Sequence, residues 1–438
     1  MSAGGLLAAG LLISTAAGSS TCLGLDDAIT RAFDVSAQVG EAMAARSSAI
    51  ADFDDALSLR RPQISAFTRS SLGDQGLADA QIENQVGLRA SQRLIDFGDA
   101  RRARASARSA IAGGDAALMV AMAEEAAAVS LAYLDILEAR AELAVIAARA
   151  DYFREQAAVI DELIDEGLAT RSEQIEVEAQ RASAALDVAA RELEAGAGAQ
   201  QLSARTGLDG VTACPEDALP DWLQQGADAV GAATDSVAMA SPDLAAARAE
   251  RRRLEADYQR ARRSRLPAVE LVAIGSYAYD DRRDEWAFRD RFGIDVSIPL
   301  YGGSSLSAAT DRARAARDSA VTRERSLRFE LEAQAARLRA RLVASEVQRV
   351  HLERLIALQS ERVAAMRREL ELSLTTLTEI IEARLALEDA QLRLVAARFA
   401  VLRDRVSLRA LTADFPAVTA PPEPEFPKIW GWEPDPED

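Results

Sequence analysis

The sequence predicts a mainly α-helical chain with a small β part, the whole built twice, and three observations predict it. Two proline-free stretches, about 99–165 and about 304–370, carry apolar residues at helical spacing. Four other segments alternate apolar and polar residues, most cleanly "FGIDVSIPL" at 292–300, where Phe292, Ile294, Val296, Ile298 and Leu300 interleave with Gly293, Asp295, Ser297 and Pro299. Punctuating residues recur at one offset: Pro62 and Pro267 lie 267 − 62 = 205 apart, and so do Gly98 and Gly303 (303 − 98 = 205).

The elements follow in order. Residues 1–21 hold an apolar run from Leu6 to Ile13 and then small residues, the pattern of a secretory signal peptide, although no basic residue precedes the run. A first repeat over 22–210 contains a helix, strands at 63–71 and 86–95, and a long helical hairpin turning at 165–173. Residues 211–240, with Gly, Pro and short helical pieces, are expected to form a belt connecting the repeats. The second repeat, 241–412, places strands at 268–279 and 292–300 and turns its hairpin at 370–378. Each proline before a first strand and each glycine after a second strand mark the switch between helix and sheet. The tail 413–438 is acidic and proline-rich, a composition that cannot bury enough apolar surface to order itself; Trp430 and Trp432 lie in it.

A helix of nearly 70 residues is about 100 Å long at 1.5 Å per residue, and such length points to coiled-coil packing. Leu331, Ala335, Leu338, Leu342, Ser345, Arg349, Leu352, Ile356, Gln359, Val363, Met366 and Leu370 keep a strict four-three spacing, resumed by Ile381, Leu385, Glu388, Leu392, Val395, Phe399, Leu402 and Val406. The first repeat carries two stripes, one through Met122, Ala126, Val129, Tyr133, Ile136 and Leu143, the other through Ala127, Leu131, Leu134, Ala141 and Val145. Two stripes predict neighbours on both sides. Gly113 and Gly114 are expected to mark a bend or close contact.

A formal charge of -18 argues against nucleic acid or an anionic lipid surface as the main partner, since both need Lys and Arg in excess. The single histidine, His351, lies among helix formers. No Gly-rich phosphate loop, nucleophile elbow or metal-ligand spacing is present, so no catalytic, cofactor or metal site is expected, and the chain does not read as an enzyme. No stretch of 18 apolar residues follows the leader, so no membrane-spanning helix is expected. The strands, in contrast, have the roughly 9 to 11 residues of a tilted transmembrane β-strand. Cys22 and Cys214 are too far apart for a CxxC motif. In an exported protein they are able to pair; unrelated thiols, or a lipid anchor on Cys22, are the alternatives.

The segments "RRPQISA", "ASQRLIDFG", "AYLDILEAR", "EGLATRSEQIE", "GIDVSIPLYGG" and "TTLTEIIEARLALEDAQ", in this order, resemble the TolC family of outer-membrane channel proteins over about 23–412. The resemblance implies a homotrimer in which each subunit gives four strands to one twelve-stranded β-barrel, continued by a periplasmic α-helical barrel. It implies an exit duct in the bacterial outer membrane that works with a periplasmic adaptor (membrane fusion) protein and an inner-membrane ABC or RND transporter. Outer-membrane lipid would meet the apolar strand faces, and Arg89, Ser91, Arg93, Asp295 and Ser297 would face water. Loops 72–84 and 280–291 would lie outside the cell, with Trp286 and Phe288 at the membrane interface.

By the same resemblance the hairpin tips close the periplasmic entrance. Gly167, Leu168, Ala169 and Thr170 in the first hairpin, and Leu374, Thr375 and Thr376 in the second, would meet the adaptor. Glu173, Glu379 and Glu382 would form carboxylate rings that filter passage by charge. Thr375 stands where some relatives carry a gating arginine, and Arg171 is the candidate substitute. "LIDFG" looks more like members serving type I protein secretion; multidrug efflux is the close competitor. A soluble coiled-coil scaffold is the alternative of another class, but it leaves four duplicated strands unexplained.

Overall fold

The computed structural model describes residues 22–74, 80–165, 169–224, 237–280, 285–372 and 374–422. The proposed leader, the end of the tail with Trp430 and Trp432, and the tip residues Gly167 and Leu168 lie outside them.

After a two-residue strand β1 (Cys22–Leu23) come helices α1 (Leu25–Val35) and α2 (Ala37–Ser58), strands β2 (Gln63–Asp74) and β3 (Ala80–Ile95), and helices α3 (Asp99–Asp165) and α4 (Arg171–Thr206). A connecting stretch holds β4 (Thr212–Ala213), a 3-10 turn, and the short helices α5 (Asp221–Gln224) and α6 (Val237–Ala240). Then the order repeats: α7 (Pro242–Arg263), β5 (Ala268–Asp280), β6 (Glu285–Ser297), α8 (Ser305–Glu371) and α9 (Leu377–Thr412). The duplication is metrical, since α2 and α7 both have 22 residues, α3 and α8 both have 67, and α4 and α9 both have 36. Gly98 and Gly303 take positive φ, 84° and 63°, where sheet gives way to long helix. A side chain there is strained by its Cβ, which is why this junction keeps glycine in both repeats.

The described residues form two compact units. One gathers those within 1–35, 128–225 and 344–406, and the other those within 36–127, 226–343 and 407–438. In the first unit, β1 pairs in parallel with β4, Cys22 is bonded to Cys214, and buried Tyr133 donates its hydroxyl to the Leu23 carbonyl at 3.1 Å. Arg140 adds a hydrogen bond to the Ala213 carbonyl at 2.7 Å. The thiol of Cys22 is therefore engaged, and is not available in this form for a thioether lipid.

In the second unit, a core of Ala49, Phe53, Ala56, Ala103, Ala107 and Ile111 joins α2 to the start of α3. Small residues let the helices approach closely here, and a Cβ on Gly114 would come within 3.2 Å of the Arg46 backbone. The glycine pair thus marks a close contact, in a helix that stays continuous through it. The most apolar part of α3 has a mean hydropathy of 1.5 and passes the length and composition test for a membrane span, contrary to the expectation that no helix does. Alanine, which scores as apolar, accounts for the difference, and 61% of that window is buried inside the protein.

The heptad seam of α8 holds in part: Leu331, Ala335, Leu338, Leu342, Leu352 and Val363 are buried, Ser345, Arg349, Ile356, Gln359 and Met366 are half-buried, and Leu370 is exposed where the helix nears the tip. In α3 Ala126, Val129, Tyr133 and Ile136 of one stripe and Leu134 of the other are buried, whereas Met122 and Leu143 of the first and Ala127, Leu131, Ala141 and Val145 of the second are half-buried. His351 is exposed.

The second unit also carries the sheet, ordered β2-β3-β5-β6, antiparallel throughout. Two expectations about it need correction. The segment "DDRRDEWAFRDR" is not mainly loop, because Glu285–Arg291 belong to β6, and β2 and β3 likewise extend through Asp74 and from Ala80. The backbone ladder continues through the consecutive charged residues Arg289, Asp290 and Arg291, and the cross-strand pairs Tyr277–Phe288 and Tyr279–Trp286, with centroids 5.3 and 5.6 Å apart, support it. At the other end, β6 stops at Ser297 rather than at 300, since Pro299 has no N–H to donate.

Candidate functional site

Two surfaces stand out as functional: the hairpin tips of the first unit and the faces of the sheet in the second. At the tips the sequence builds two copies of one cap. Thr170 accepts from the Glu173 backbone N–H at 3.3 Å, while the Glu173 carboxylate accepts from the Thr170 backbone N–H at 2.8 Å. This reciprocal pair satisfies two amides that the start of α4 leaves unbonded. In the second hairpin Thr376 and Glu379 make the same exchange at 3.3 and 2.9 Å, and the Thr375 hydroxyl donates to the Glu379 carboxylate at 2.6 Å. Hydrogen bonding from Thr375, then from Thr376, holds the Glu379 carboxyl below its ordinary range, so it stays ionised. Glu382, one turn on, is exposed. Ala169 and Leu374 lie in the tip turns.

Arg171 is engaged with Gln174 of its own hairpin, and Gln174 reaches Asp161 at 2.5 Å. The contacts between hairpins run elsewhere, through residues not singled out from sequence as a site. The Arg384 guanidinium stacks over the Tyr152 ring at 3.8 Å. Arg149 on α3 pairs with Asp187 on α4 and reaches Glu388 on α9 at 3.1 Å. Below them Phe153, Ala157, Ile160, Val177 and Ile381 form a buried cluster that ties α9 to the first hairpin. Burial lifts the Glu388 carboxyl to about 6. The available signal was that Glu388 interrupts an otherwise apolar heptad.

The sheet separates its side chains by face. Register places Val269, Leu271, Ala273, Tyr277 and Tyr279 of β5 beside Val296, Ile294, Phe292, Phe288 and Trp286 of β6, with Asp290, opposite Gly275, as the charged residue within that face. Val86, Leu88 and Ala90 of β3 continue that face, and Ile64 and Ala66 of β2 end it. This apolar face is bare: Ile64 and Phe292 are each 75% exposed, and Ile294 is 62% exposed. The opposite face carries Arg89, Ser91, Arg93, Asp295 and Ser297. Leu94 departs from its expected row because the register shifts between Arg93 and Ile95. Val272 lies on the polar face yet is 1% exposed, between the small partners Ser91 and Gly293.

Residues 234–414 match the family model described as outer membrane efflux protein. This part of the chain is similar to outer membrane efflux proteins. The fold extends the likeness to nearly the whole chain. It resembles the outer membrane protein VceC from Vibrio cholerae with a TM-score of 0.74 at 17% identity, covering 89% of this chain and 96% of that one. The outer-membrane channel OprN gives 0.75 at 16% identity, with 89% of each chain covered. The MtrE outer membrane channel of Neisseria gonorrhoeae, in its open state, gives 0.71 at 16% identity, with 89% of this chain and 88% of that chain covered. Among curated protein sequences none matches the chain.

Proposed function

We propose that the chain is a passive exit duct in which three copies close one barrel. One observation carries this reading: a four-stranded sheet with a bare apolar face and two unpaired edges, β2 and β6. Open edges are not tolerated in hydrocarbon, and four strands are too few to curl into a membrane barrel. Pairing β2 of one copy with β6 of the next removes every edge, and three copies of four strands make twelve. The apolar face then meets lipid, with Tyr277, Tyr279, Trp286 and Phe288 as an interfacial aromatic group, and the polar face lines water. Exposed Ile175, Leu186 and Leu193 of α4, and Val343, Val347 and Val350 of α8, find partners in the same assembly. Detergent-extracted protein should sediment as a trimer and give stable conductance steps in planar bilayers. A stable monomer that conducts nothing would sink the reading.

The tips Ala169, Thr170, Leu374, Thr375 and Thr376, with Gly167 and Leu168, form the adaptor contact, and Glu173, Glu379 and Glu382 make the entrance filter. Threefold symmetry turns each acid into a ring that draws cations. Replacing Glu379 and Glu382 by Gln keeps the N3 side chain able to cap and should lower potassium-over-chloride selectivity; an unchanged reversal potential would remove both from the filter.

For cargo, "LIDFG" supports type I protein secretion, while the match to efflux proteins supports the second reading, drug efflux. A deletion strain separates them: loss of one secreted protein from the medium favours the first, and raised sensitivity to small toxic compounds the second.

A further inference from the structure

The strands meet the helices at four junctions on one end of the sheet. The six residues beyond each strand there, 57–62, 96–101, 262–267 and 298–303, hold Arg60, Arg61, Arg101, Arg262, Arg263 and Arg265 against two acids, Asp96 and Asp99. The connections at the far end, 75–79 and 281–284, hold three aspartates against two arginines. A chain whose formal charge is -18 thus reverses its sign at one level.

Both acids are turned into the junction. Asp96, its side chain 4% exposed, accepts from the backbone N–H groups of Gly98 and Ala100 at 2.9 Å and lies 3.9 Å from Arg60. Asp99 receives Arg260 at 2.8 Å, and Arg93 of the polar sheet face reaches it at 3.4 Å. These contacts give a direction: Asp99 and Arg260 lie under the polar face. Arg101 and Arg262, each two residues further along its helix and so about 200° round it, lie under the apolar face. Both are exposed. Arg263 and Arg102 converge beside them on the Phe97 carbonyl, at 3.4 Å each.

The apolar face has the height of a bilayer. Its rows Tyr279–Trp286 and Val269–Val296 are 279 − 269 = 10 residues apart. That is about 33 Å along the strand, or about 25 Å along the membrane normal at a barrel tilt of about 40°. Arg265 follows four residues past the lower row, at the depth of lipid headgroups, and the long stems of Arg101 and Arg262 reach the same depth from the adjoining helical turns. The fourth junction, which carries no charge, presents Leu300 and Tyr301, each 90% exposed.

We propose that these junctions form a collar, led by Arg101 and Arg262, that binds the headgroup phosphates of anionic phospholipids in the leaflet nearest the helices. The inference rests on the duct reading, because only a sheet inserted in lipid brings the collar to headgroup depth. Three copies close it into a ring around the barrel. Guanidinium groups suit the task, since they stay charged at every working pH and hold phosphate oxygens through a fork of donors. The collar fixes how deep the barrel sits: charge at its rim resists entry into hydrocarbon, and the bound headgroups resist withdrawal.

Binding of tail-labelled phosphatidylglycerol and phosphatidylcholine to the detergent-extracted full chain is measured for the parent, R101Q/R262Q, R101K/R262K and R354Q/R362Q, the last removing equal charge from exposed positions of α8. The parent is expected to prefer phosphatidylglycerol, and the R101Q/R262Q pair to weaken that binding about fivefold for each arginine removed. The Lys pair and the α8 pair should stay close to the parent. Equal binding of the two lipids by the parent, or an α8 pair that loses as much as R101Q/R262Q, would overturn the proposal. So would displacement of the lipid by inorganic phosphate at matched concentration, which would mean a site for free anions. If R101Q/R262Q fails to assemble, R101Q alone is read in the same way. A parent that stays monomeric and conducts nothing ends the duct reading and this inference with it; a conducting trimer without lipid preference ends the inference alone.

Discussion

Replacing Cys22 and Cys214 by serine is expected to destabilise the first unit by about 2–5 kcal/mol, the cost typical of losing a native disulfide. The bond joins residues 192 apart, so its loss returns a large loop to the unfolded ensemble. What it holds in the folded state is small. β1 and β4 pair over two residues each, with Cys214 N–H donating to the Leu23 carbonyl at 3.3 Å, and a ladder that short has little stability of its own. The Tyr133 hydroxyl and Arg140 dock against it only while it is in place. Denaturant midpoints of the detergent-extracted protein should fall for C22S, C214S and the double variant alike, and reduction of the parent with dithiothreitol should reproduce the shift. Coincident midpoints for parent and double variant would mean that the bond contributes nothing.

A comparable loss, about 3–5 kcal/mol, is expected from Arg149→Leu, the cost of leaving a buried charge without its partner. The Glu388 side chain is only 8% exposed and receives Arg149 at 3.1 Å; Asp187 and Asp389 add like charge around it, and Arg384 adds opposite charge. The double variant R149L/E388L should recover most of the loss, since Glu388 occupies a heptad position that leucine fills. The pH dependence has a definite sign. Burial, only partly offset by Arg149, lifts the Glu388 carboxyl from 4.5 to about 6. The folded form therefore holds this proton more tightly than the unfolded chain, and its contribution is complete below 4.5 and lost as pH rises through 6. Between those limits the parent should lose about 2 kcal/mol relative to E388Q. Without Arg149 the carboxyl rises further, so the deficit of R149L should widen with pH. Amide exchange in α9 at pH 5 and pH 7 measures both effects locally; a deficit that does not change with pH would contradict the assignment.

The hairpin-tip carboxylates show how far residue patterns reach. Thr-x-x-Glu at 170–173 and again at 376–379 is a capping signature legible in any helical sequence. The caps explain why Glu173 and Glu379 stand at equivalent places in the two repeats. Glu388 was visible only as an acid where the heptad asks for an apolar residue; its partner Arg149 is 388 − 149 = 239 residues away, and nothing local pairs them.

Periodicity alone determined the long helices, the duplication, the seam through Leu331 and Phe399, and the two unlike faces of each strand, because spacing along one element decides which side chains share a side. Tertiary structure decided the rest: that Cys22 meets Cys214, that Arg384 lies on Tyr152, and that the strands run on through charged residues. Those outcomes depend on which elements become neighbours and in what register, and neither is written in the order of residues within a single helix or strand.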